Sequence, residues 1–454
     1  MNNFLDKAKR SRNPERLADE FLSIYFKDTP RVFPLNPFQM LKDLGVLFVL
    51  NNFKSLEGIY LPETGTDDIP MVSINNNRPI ARQRFTAAHE LCHHLRDADK
   101  HFACAIGSRD ENEYFADKFA AALLMPIDEL YRQAQVRWNP KTKTVSFDDV
   151  LEIADYFGVS FESCVFRLAY RLRAIDGDID ARELRKRIKR YKPDQKRKAK
   201  NFNALVLYEG LIDAYSDVLK FTPNEHARLV FQNNYIYNDS RMEGVQTTLE
   251  ASAEIVADLR LNEQNSRYCT EENEAYLSVA GHYCMYQAIF DQPKNKTCSI
   301  WDMLGLHRKL FSYYPCPEFS GTFRQSDTMV LGAKFETTTH SNIIRELQEL
   351  EEVLKELLSN KDTLTLSAYI EQLTIIHHKL TVIHPFGDGN GRTLRAFFNM
   401  LLISSGISPL YIKTEEKEEY VQALNKADLL GSYADLFECI FKCLLRSNVD
   451  LNNY

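Results

Sequence analysis

The chain has 454 residues, 44% of them hydrophobic and 26% charged, with a formal net charge of −7. That length implies two or three domains with ordinary apolar cores, and the acidic balance argues against a general nucleic-acid binder. No run of about 18 apolar residues is present, so no membrane span is expected. The polar start, Met1–Arg10, lacks the apolar core of a secretion signal. Nine scattered cysteines without a CxxC pair read as reduced, buried thiols of a cytoplasmic protein. Cys439 and Cys443, spaced i, i+4, read as a core face.

Residues 15–30 carry the spacing of an amphipathic helix that stops at Pro30. A second short helix is predicted around Phe38–Leu44. Strand-like runs follow at Val46–Leu50, Gly58–Leu61 and Pro70–Ile74, which predicts a small antiparallel sheet. From Ile80 the pattern turns helical and contains His89-Glu90-Leu91-Cys92-His93. Residues i and i+4 of a helix share a face, so both imidazoles point the same way and can hold a zinc ion. Glu90 is then placed to take a proton from a metal-bound water. An exposed polar helix produces the same five residues by chance, but apolar Phe85, Ala87, Ala88, Leu91 and Leu95 favour a buried helix. The stretch Glu111–Pro126 reads as a second apolar helix carrying carboxylates. Its Glu113 and Asp117, again i, i+4, offer a third ligand and an acceptor that orients a histidine. His94 and His101 read as surface or structural, and the Cys92 thiol as packing turned away from the metal.

These residues resemble the ImmA/IrrE-type zinc metallopeptidases. The matching pieces are Arg84-Phe85-Thr86-Ala87-Ala88-His89-Glu90 with His93, then Glu113, Ala116-Asp117, Phe119-Ala120, Leu124-Met125-Pro126, Ile153–Ser160 and Arg167-Leu168. The resemblance covers about residues 15–175. It implies His89, His93 and Glu113 as zinc ligands, Glu90 as general base, and a regulator protein as a cleaved partner. The helix pair within 147–173 has a helix-turn-helix look, but its acidic first helix favours a structural cap over DNA binding.

Residues 181–200 hold eleven Lys/Arg and two acidic residues. Such a run reads as a solvated linker, and nucleic acid is not expected as a partner. Beyond it the periodicity predicts helices at 204–220, 224–234, 247–261, 271–290, 300–312, 341–359, 364–383, 391–404, 416–429 and 432–446. Residues 321–332 read instead as a β-hairpin between glycines.

The stretch His384–Arg395 has the inventory of a phosphate site. Pro385 stops the preceding helix just after His384. Gly387, Gly389 and Gly391 let backbone amides approach an anion, and the following helix offers its N-terminus to phosphate. Arg392 and Arg395 provide multi-donor clamps. Asp388 suits Mg²⁺, and His384 can take the proton of an attacking hydroxyl. Phe386 is expected to anchor the loop.

This stretch is the HPFxDGNGRxxR signature, and residues 204–450 resemble the Fic family, whose enzymes transfer AMP from ATP to a protein hydroxyl. The resemblance implies His384 as the base towards a Tyr, Thr or Ser of a target protein and Asp388 as the Mg²⁺ ligand. It implies Gly389, Asn390 and Gly391 as the phosphate cradle, and Arg392 and Arg395 on the leaving phosphates. The hairpin, with Thr322, Phe323 and Arg324, corresponds to the flap that holds the target segment by strand addition. Tyr420 and Asp428 lie where relatives often contact the nucleoside.

Ser240 and Glu243 have the spacing of a capping box opening a helix over 241–253. Asn238–Gly244 also resembles the family's inhibitory motif, in which Glu243 pairs with Arg395 and fills the γ-phosphate position. Asp239 stands where that motif has Ser or Thr.

The combined expectation is a mainly α chain. An N-terminal α+β zincin-like peptidase domain spans 1–175, a basic linker 176–203, and an all-α Fic domain with a β-hairpin flap 204–454, its inhibitory helix near 239–253. The expected function is AMP transfer restrained by Glu243, beside a zinc peptidase. The alternatives are a peptidase whose Fic domain senses nucleotide, and a non-catalytic toxin–antitoxin-like module. The same Glu243 is also compatible with AMP removal.

Overall fold

Twelve of the seventeen residues of the helix Ile80–Arg96 are buried, His89, Glu90 and His93 among them. In the computed structural model, the described residues are 2–63, 65, 68–97, 102–105, 110–175, 179–222, 225–262, 265–270, 273–291, 297–315, 318–330 and 335–452. They divide into two compact units, Met1–Tyr215 and Ser216–Tyr454. Among them, no helix is long and apolar enough to cross a membrane.

The first unit is α+β. Its strands are β1 (Leu47–Asn51), β2 (Leu56–Leu61), β3 (Met71–Asn75) and β4 (Phe102–Ala105), in the order β1-β3-β2-β4. The pairing β1–β3 is parallel, with Leu47 opposite Met71, whereas β2 runs antiparallel to both β3 and β4. The sheet is therefore mixed rather than antiparallel, and β4 was not predicted. The reason lies at Asn75, whose side chain donates to Phe53 O at 2.9 Å and Leu56 O at 2.7 Å. The β1–β2 connection thus crosses the end of β3, and β3 slots between strands adjacent in sequence.

Arg84, on the buried helix, ties two segments together, the loop at Leu35 and the helix end at Phe157-Gly158. It donates to Leu35 O at 2.7 Å, Gly158 O at 3.2 Å and Phe157 O at 3.3 Å. Gly158 ends the helix Phe147–Phe157 with φ +62, and a Cβ there would lie 2.5 Å from Leu207. The next helix, Phe161–Tyr170, sends Arg167 to Met125 O at 2.8 Å and to Glu15 at 2.9 and 3.0 Å. This helix pair caps the ends of neighbouring helices of the unit.

The stretch read as a linker is structured. It forms the helices Ala181–Tyr191 and Pro193–Ala199, with Leu184 and Ile188 buried. Tyr191 stacks on Phe161 at 5.1 Å, Arg197 pairs with Asp155 at 2.7 Å, and Lys200 pairs with Glu152 at 3.0 Å. The helix Leu205–Ala214, expected to open the second domain, also belongs to the first unit. The boundary therefore falls after Tyr215. The charge run conceals two apolar positions, four residues apart, that dock the first basic helix.

The second unit is helical, with an aromatic core around Phe231, Tyr235, Tyr286 and Tyr411. The 224–234 helix is longer than predicted, Glu225–Met242, so Asp239 and Ser240 lie in its last turn and Glu243 just beyond. Ser240 and Glu243 consequently close a helix rather than open one. Gly244, at φ +86, ends it, and the next helix starts only at Leu249. The predicted hairpin shows no strand among its described residues 321–330, and residues 331 and 332 lie outside the described ones. The Arg324 N–H pairs instead with Pro385 O at 3.0 Å.

The helices Glu274–Phe290 and Asp302–Leu310 meet at Gly281, where a Cβ would lie 1.9 Å from Leu310 O. Gly281→Ala should therefore destabilise the protein by about 2–3 kcal/mol through overpacking. Urea denaturation of the full chain measures this, and an unchanged midpoint would contradict the close approach.

Candidate metal and phosphate sites

In the first unit, the one-turn spacing of His89 and His93 brings their Nε2 atoms to 3.1 Å of each other. The helix Glu111–Leu124 adds Glu113, whose oxygens lie 3.2 Å from His89 Nε2 and 3.5 Å from His93 Nε2. A tetrahedral ion with bonds of about 2.0–2.1 Å separates its ligand atoms by about 3.3 Å. The three side chains match that spacing, and they form a group able to hold a metal ion. The Nδ1 atoms turn outward, to Asp117 at 3.0 Å and Asp97 at 3.5 Å, as orienting partners of metal-bound histidines do. Asp97 was not singled out in the sequence, although its i, i+4 spacing from His93 was a signal.

Glu90 is fully buried, and neither carboxylate oxygen has a protein partner. Burial pushes its carboxyl up to about 7. A buried carboxylate left unpaired is costly, and a bound water beside an ion would satisfy it. Cys92 is buried, as expected. His94 is half-buried against Tyr60 OH at 3.2 Å, while His101 lies outside the described residues.

In the second unit, the helix Leu366–Ile383 ends at His384 in a left-handed conformation, φ +49, and the helix Asn390–Ser404 begins six residues later. The loop between them is latched by Asn390, which accepts from Phe386 N at 2.9 Å and donates to Phe386 O at 2.8 Å. Phe386 is fully buried and stacked on His307 at 4.0 Å. His307 Nδ1 accepts from Gly321 N at 2.8 Å, so its Nε2 donates to Asp388 O at 3.0 Å. Arg324 donates to His384 O at 2.8 Å, Ser326 O at 2.7 Å and Ile383 O at 3.3 Å, and also to Thr338 O. Arg324, expected on an exposed flap, is thus buried beneath the loop, and Phe323 packs towards Phe386 at 5.9 Å. Thr322 caps a turn through Phe319 O at 2.9 Å.

A cavity of about 390 Å³ brings together His384, Asn390, Gly391, Arg395, Tyr420 and Glu243. Burial lowers the His384 imidazole below the ordinary histidine value, so the ring is neutral near pH 7. Glu243 reaches into the first turn of the Asn390–Ser404 helix, where a Cβ on Gly391 would lie 2.7 Å from its Oε1. The same oxygen accepts from Arg395 Nη2 at 2.6 Å. A carboxylate therefore occupies the helix N-terminus that favours anions. Arg395 Nε pairs with Asp239, whose other oxygen meets His282 Nε2 at 3.0 Å.

Three expected residues sit differently. Arg392 is turned back to Asp388 at 3.3 Å, with its guanidinium 5.5 Å from the Phe311 ring. Gly389, at φ +72, is packed so that a Cβ would lie 2.8 Å from Phe311. Asp428 does not line the cavity. Its carboxylate accepts from His378 at 2.8 Å, and Asn425, one turn earlier on the same helix, faces the cavity instead. Sequence reading missed Asn425, His307, His282 and the pairing of Asp239. For Asp239 the signal was its i, i+4 spacing from Glu243.

Residues 42–169 match the IrrE N-terminal-like domain of the M78 peptidases, and residues 297–402 match the Fic/DOC family. The protein adenylyltransferase fic-1 of Caenorhabditis elegans is 33% identical over 131 residues, 29% of this chain and 24% of that one. The protein adenylyltransferase Fic of Nematostella vectensis is 29% identical over 215 residues, 47% of each. The chain thus spans between 24% and 47% of the length of these curated relatives. Among solved structures, a Fic-domain signalling protein of Bacteroides thetaiotaomicron is similar at 20% identity, covering 53% of this chain and 93% of that one, with a TM-score of 0.44.

The ligand spacing predicts about one tightly bound divalent transition metal per chain, lost in His93→Ala. Elemental mass spectrometry of the desalted protein measures it. Equal metal content in both proteins would remove the site.

Proposed function

We propose that the second unit transfers AMP from ATP to a Tyr, Thr or Ser hydroxyl of a target protein, and that Glu243 restrains it. The observation that carries this reading is the single cavity holding His384, the Gly391 turn, Arg395 and Glu243. The shared name of the two relatives, protein adenylyltransferase, agrees with it.

In this reading the target hydroxyl enters beside His384, whose neutral ring takes the hydroxyl proton. The hydroxyl oxygen bonds to the α-phosphorus, the bond from that phosphorus to the α–β bridging oxygen breaks, and pyrophosphate leaves with the electron pair. The Gly391 turn and Arg395 bind and orient the outer phosphates. Asp388 fits as the Mg²⁺ ligand, because its carboxylate is exposed and held at the loop by Gly389 N at 2.6 Å. Mg²⁺, when bound, neutralises phosphate charge. Glu243 occupies the place of an outer phosphate and repels the nucleotide tail.

Incubation with α-labelled ATP tests this. Glu243→Gly should label itself or lysate proteins at least about tenfold more than the wild type, and adding His384→Ala should abolish labelling. No label from Glu243→Gly overturns the reading. Burial lowers the His384 imidazole, and the base works in its neutral form. The acid limb of the Glu243→Gly rate profile should therefore have its midpoint below the ordinary histidine value of about 6.5. A midpoint above that value would exclude His384 as the base.

The unpaired, buried Glu90 favours a second activity in the first unit, zinc-dependent cleavage of a regulator protein. His89, His93 and Glu113 would hold zinc, which, when bound, supplies an acidified water. Asp117 and Asp97 orient the imidazoles, and Glu90 accepts the proton. Cleavage of a co-expressed partner should stop in Glu90→Gln while metal content stays unchanged. Cleavage that persists in that variant would assign it elsewhere.

A further inference from the structure

Building on the phosphate-cradle reading above, we infer that Asp239 is a positioning residue for Arg395. It is a permanent second carboxylate that grips the guanidinium from behind, while only the outer face exchanges Glu243 for a phosphate.

Asp239 and Glu243 stand one turn apart at the end of the Glu225–Met242 helix, yet their surroundings differ. The Asp239 side chain is 4% exposed and that of Glu243 33%. Both Asp239 oxygens are engaged, Oδ1 by Arg395 Nε and Oδ2 by His282 Nε2 at 3.0 Å. His282 is itself anchored one helix away, its Nδ1 2.8 Å from Ser278 O. The same Nδ1 also lies 3.3 Å from Ser240 Oγ. Asp239 therefore lies buried between Arg395 and His282, and leaving would deprive both of a buried partner.

Glu243 is held differently. One of its oxygens meets Arg395 Nη2 at 2.6 Å, at the mouth of the cavity. It follows the last helical residue, where the helix dipole disfavours an anion, and its side chain, unlike that of Asp239, is partly exposed. The guanidinium thus has a fixed partner on Nε and an exchangeable one on Nη2. Once Glu243 leaves, Asp239 keeps Arg395 aimed into the cavity. Its charge, just behind the guanidinium, also weakens the field an outer phosphate meets.

Geometry and charge can be separated. Asp239→Asn can still accept from Arg395 Nε and donate to His282 Nε2 in the neutral ring, so it keeps the grip and removes the charge. Asp239→Ala removes both. In full-length Glu243→Gly protein with magnesium, calorimetry of ATP and AMP binding reads the outcome. Asp239→Asn should tighten ATP on the order of fivefold, and Asp239→Ala should weaken it by on the order of tenfold. AMP, lacking the outer phosphates, should be unaffected by either change. Equal shifts for ATP and AMP, or no shift, would overturn the inference.

A second measurement needs no nucleotide. In protein labelled with [¹⁵Nε]arginine, the Arg395 Nε–H signal is identified by its loss in Arg395→Lys. It should stay protected from solvent exchange in Glu243→Gly, shift in Asp239→Asn and lose protection in Asp239→Ala. Equal protection in all three removes the anchor. Failure of Glu243→Gly to bind ATP, with this pattern intact, sinks the cradle reading and leaves the anchor standing.

Discussion

A buried guanidinium needs compensation for its lost hydration, and Arg395 obtains it from two carboxylates of one helix end. That requirement organises the second unit. It draws the end of the Glu225–Met242 helix onto the first turn of the Asn390–Ser404 helix and brings in His282 as a further partner of Asp239. It also places Glu243 over Gly391, where a Cβ would lie 2.7 Å from the Glu243 carboxylate and displace it. Burial by itself would raise the Asp239 carboxyl, but Arg395 and His282 outweigh it and hold it below the usual carboxylate range. The group stays ionised in the core chiefly because the Arg395 guanidinium lies against it.

Two other arginines solve a related problem without carboxylates as their main partners. Arg84 satisfies itself with the carbonyls of Leu35, Phe157 and Gly158. Arg324 does so with those of Ser326, Thr338, Ile383 and His384. Each of these carbonyls lies in a loop or at a helix end, where no regular ladder satisfies it. A planar, five-donor side chain gathers several such ends at once. In the first unit this stitches helix ends around the helix that carries His89 and His93. In the second it fixes the backbone of His384 at the cavity.

The two sites differ in how much of them can be read from the chain. His89, Glu90 and His93 lie within five residues on one helix, so their relation follows from helical geometry, and Glu113 needs only the next helix to pack beside it. His384–Arg395 is likewise local, and its Asn390 latch closes across four residues. Asp428, expected at the cavity, turns away from it, and Asn425 faces it instead. Asp428 and Asn425 are both polar residues on one helix, and only the position of His378 determines which of them turns away. The expected flap was misjudged because alternation between glycines reads as hairpin, whereas the Arg324 backbone and side chain were already claimed by the loop beneath.

By itself, the sequence determined most of the helices, the mainly α class, both short-range motifs and the chemistry their residue types permit. Periodicity, turn residues and i, i+4 spacing act within a few residues and need no knowledge of the rest. Tertiary structure alone decided the insertion of β3 between β1 and β2, the docking of the basic stretch onto the first unit, and the Asp239 half of the double grip on Arg395. The two carboxylates of that grip lie 152 and 156 residues from the arginine. Pairings at that range are set by which buried charges must find each other once the helices pack, and no local pattern encodes that outcome.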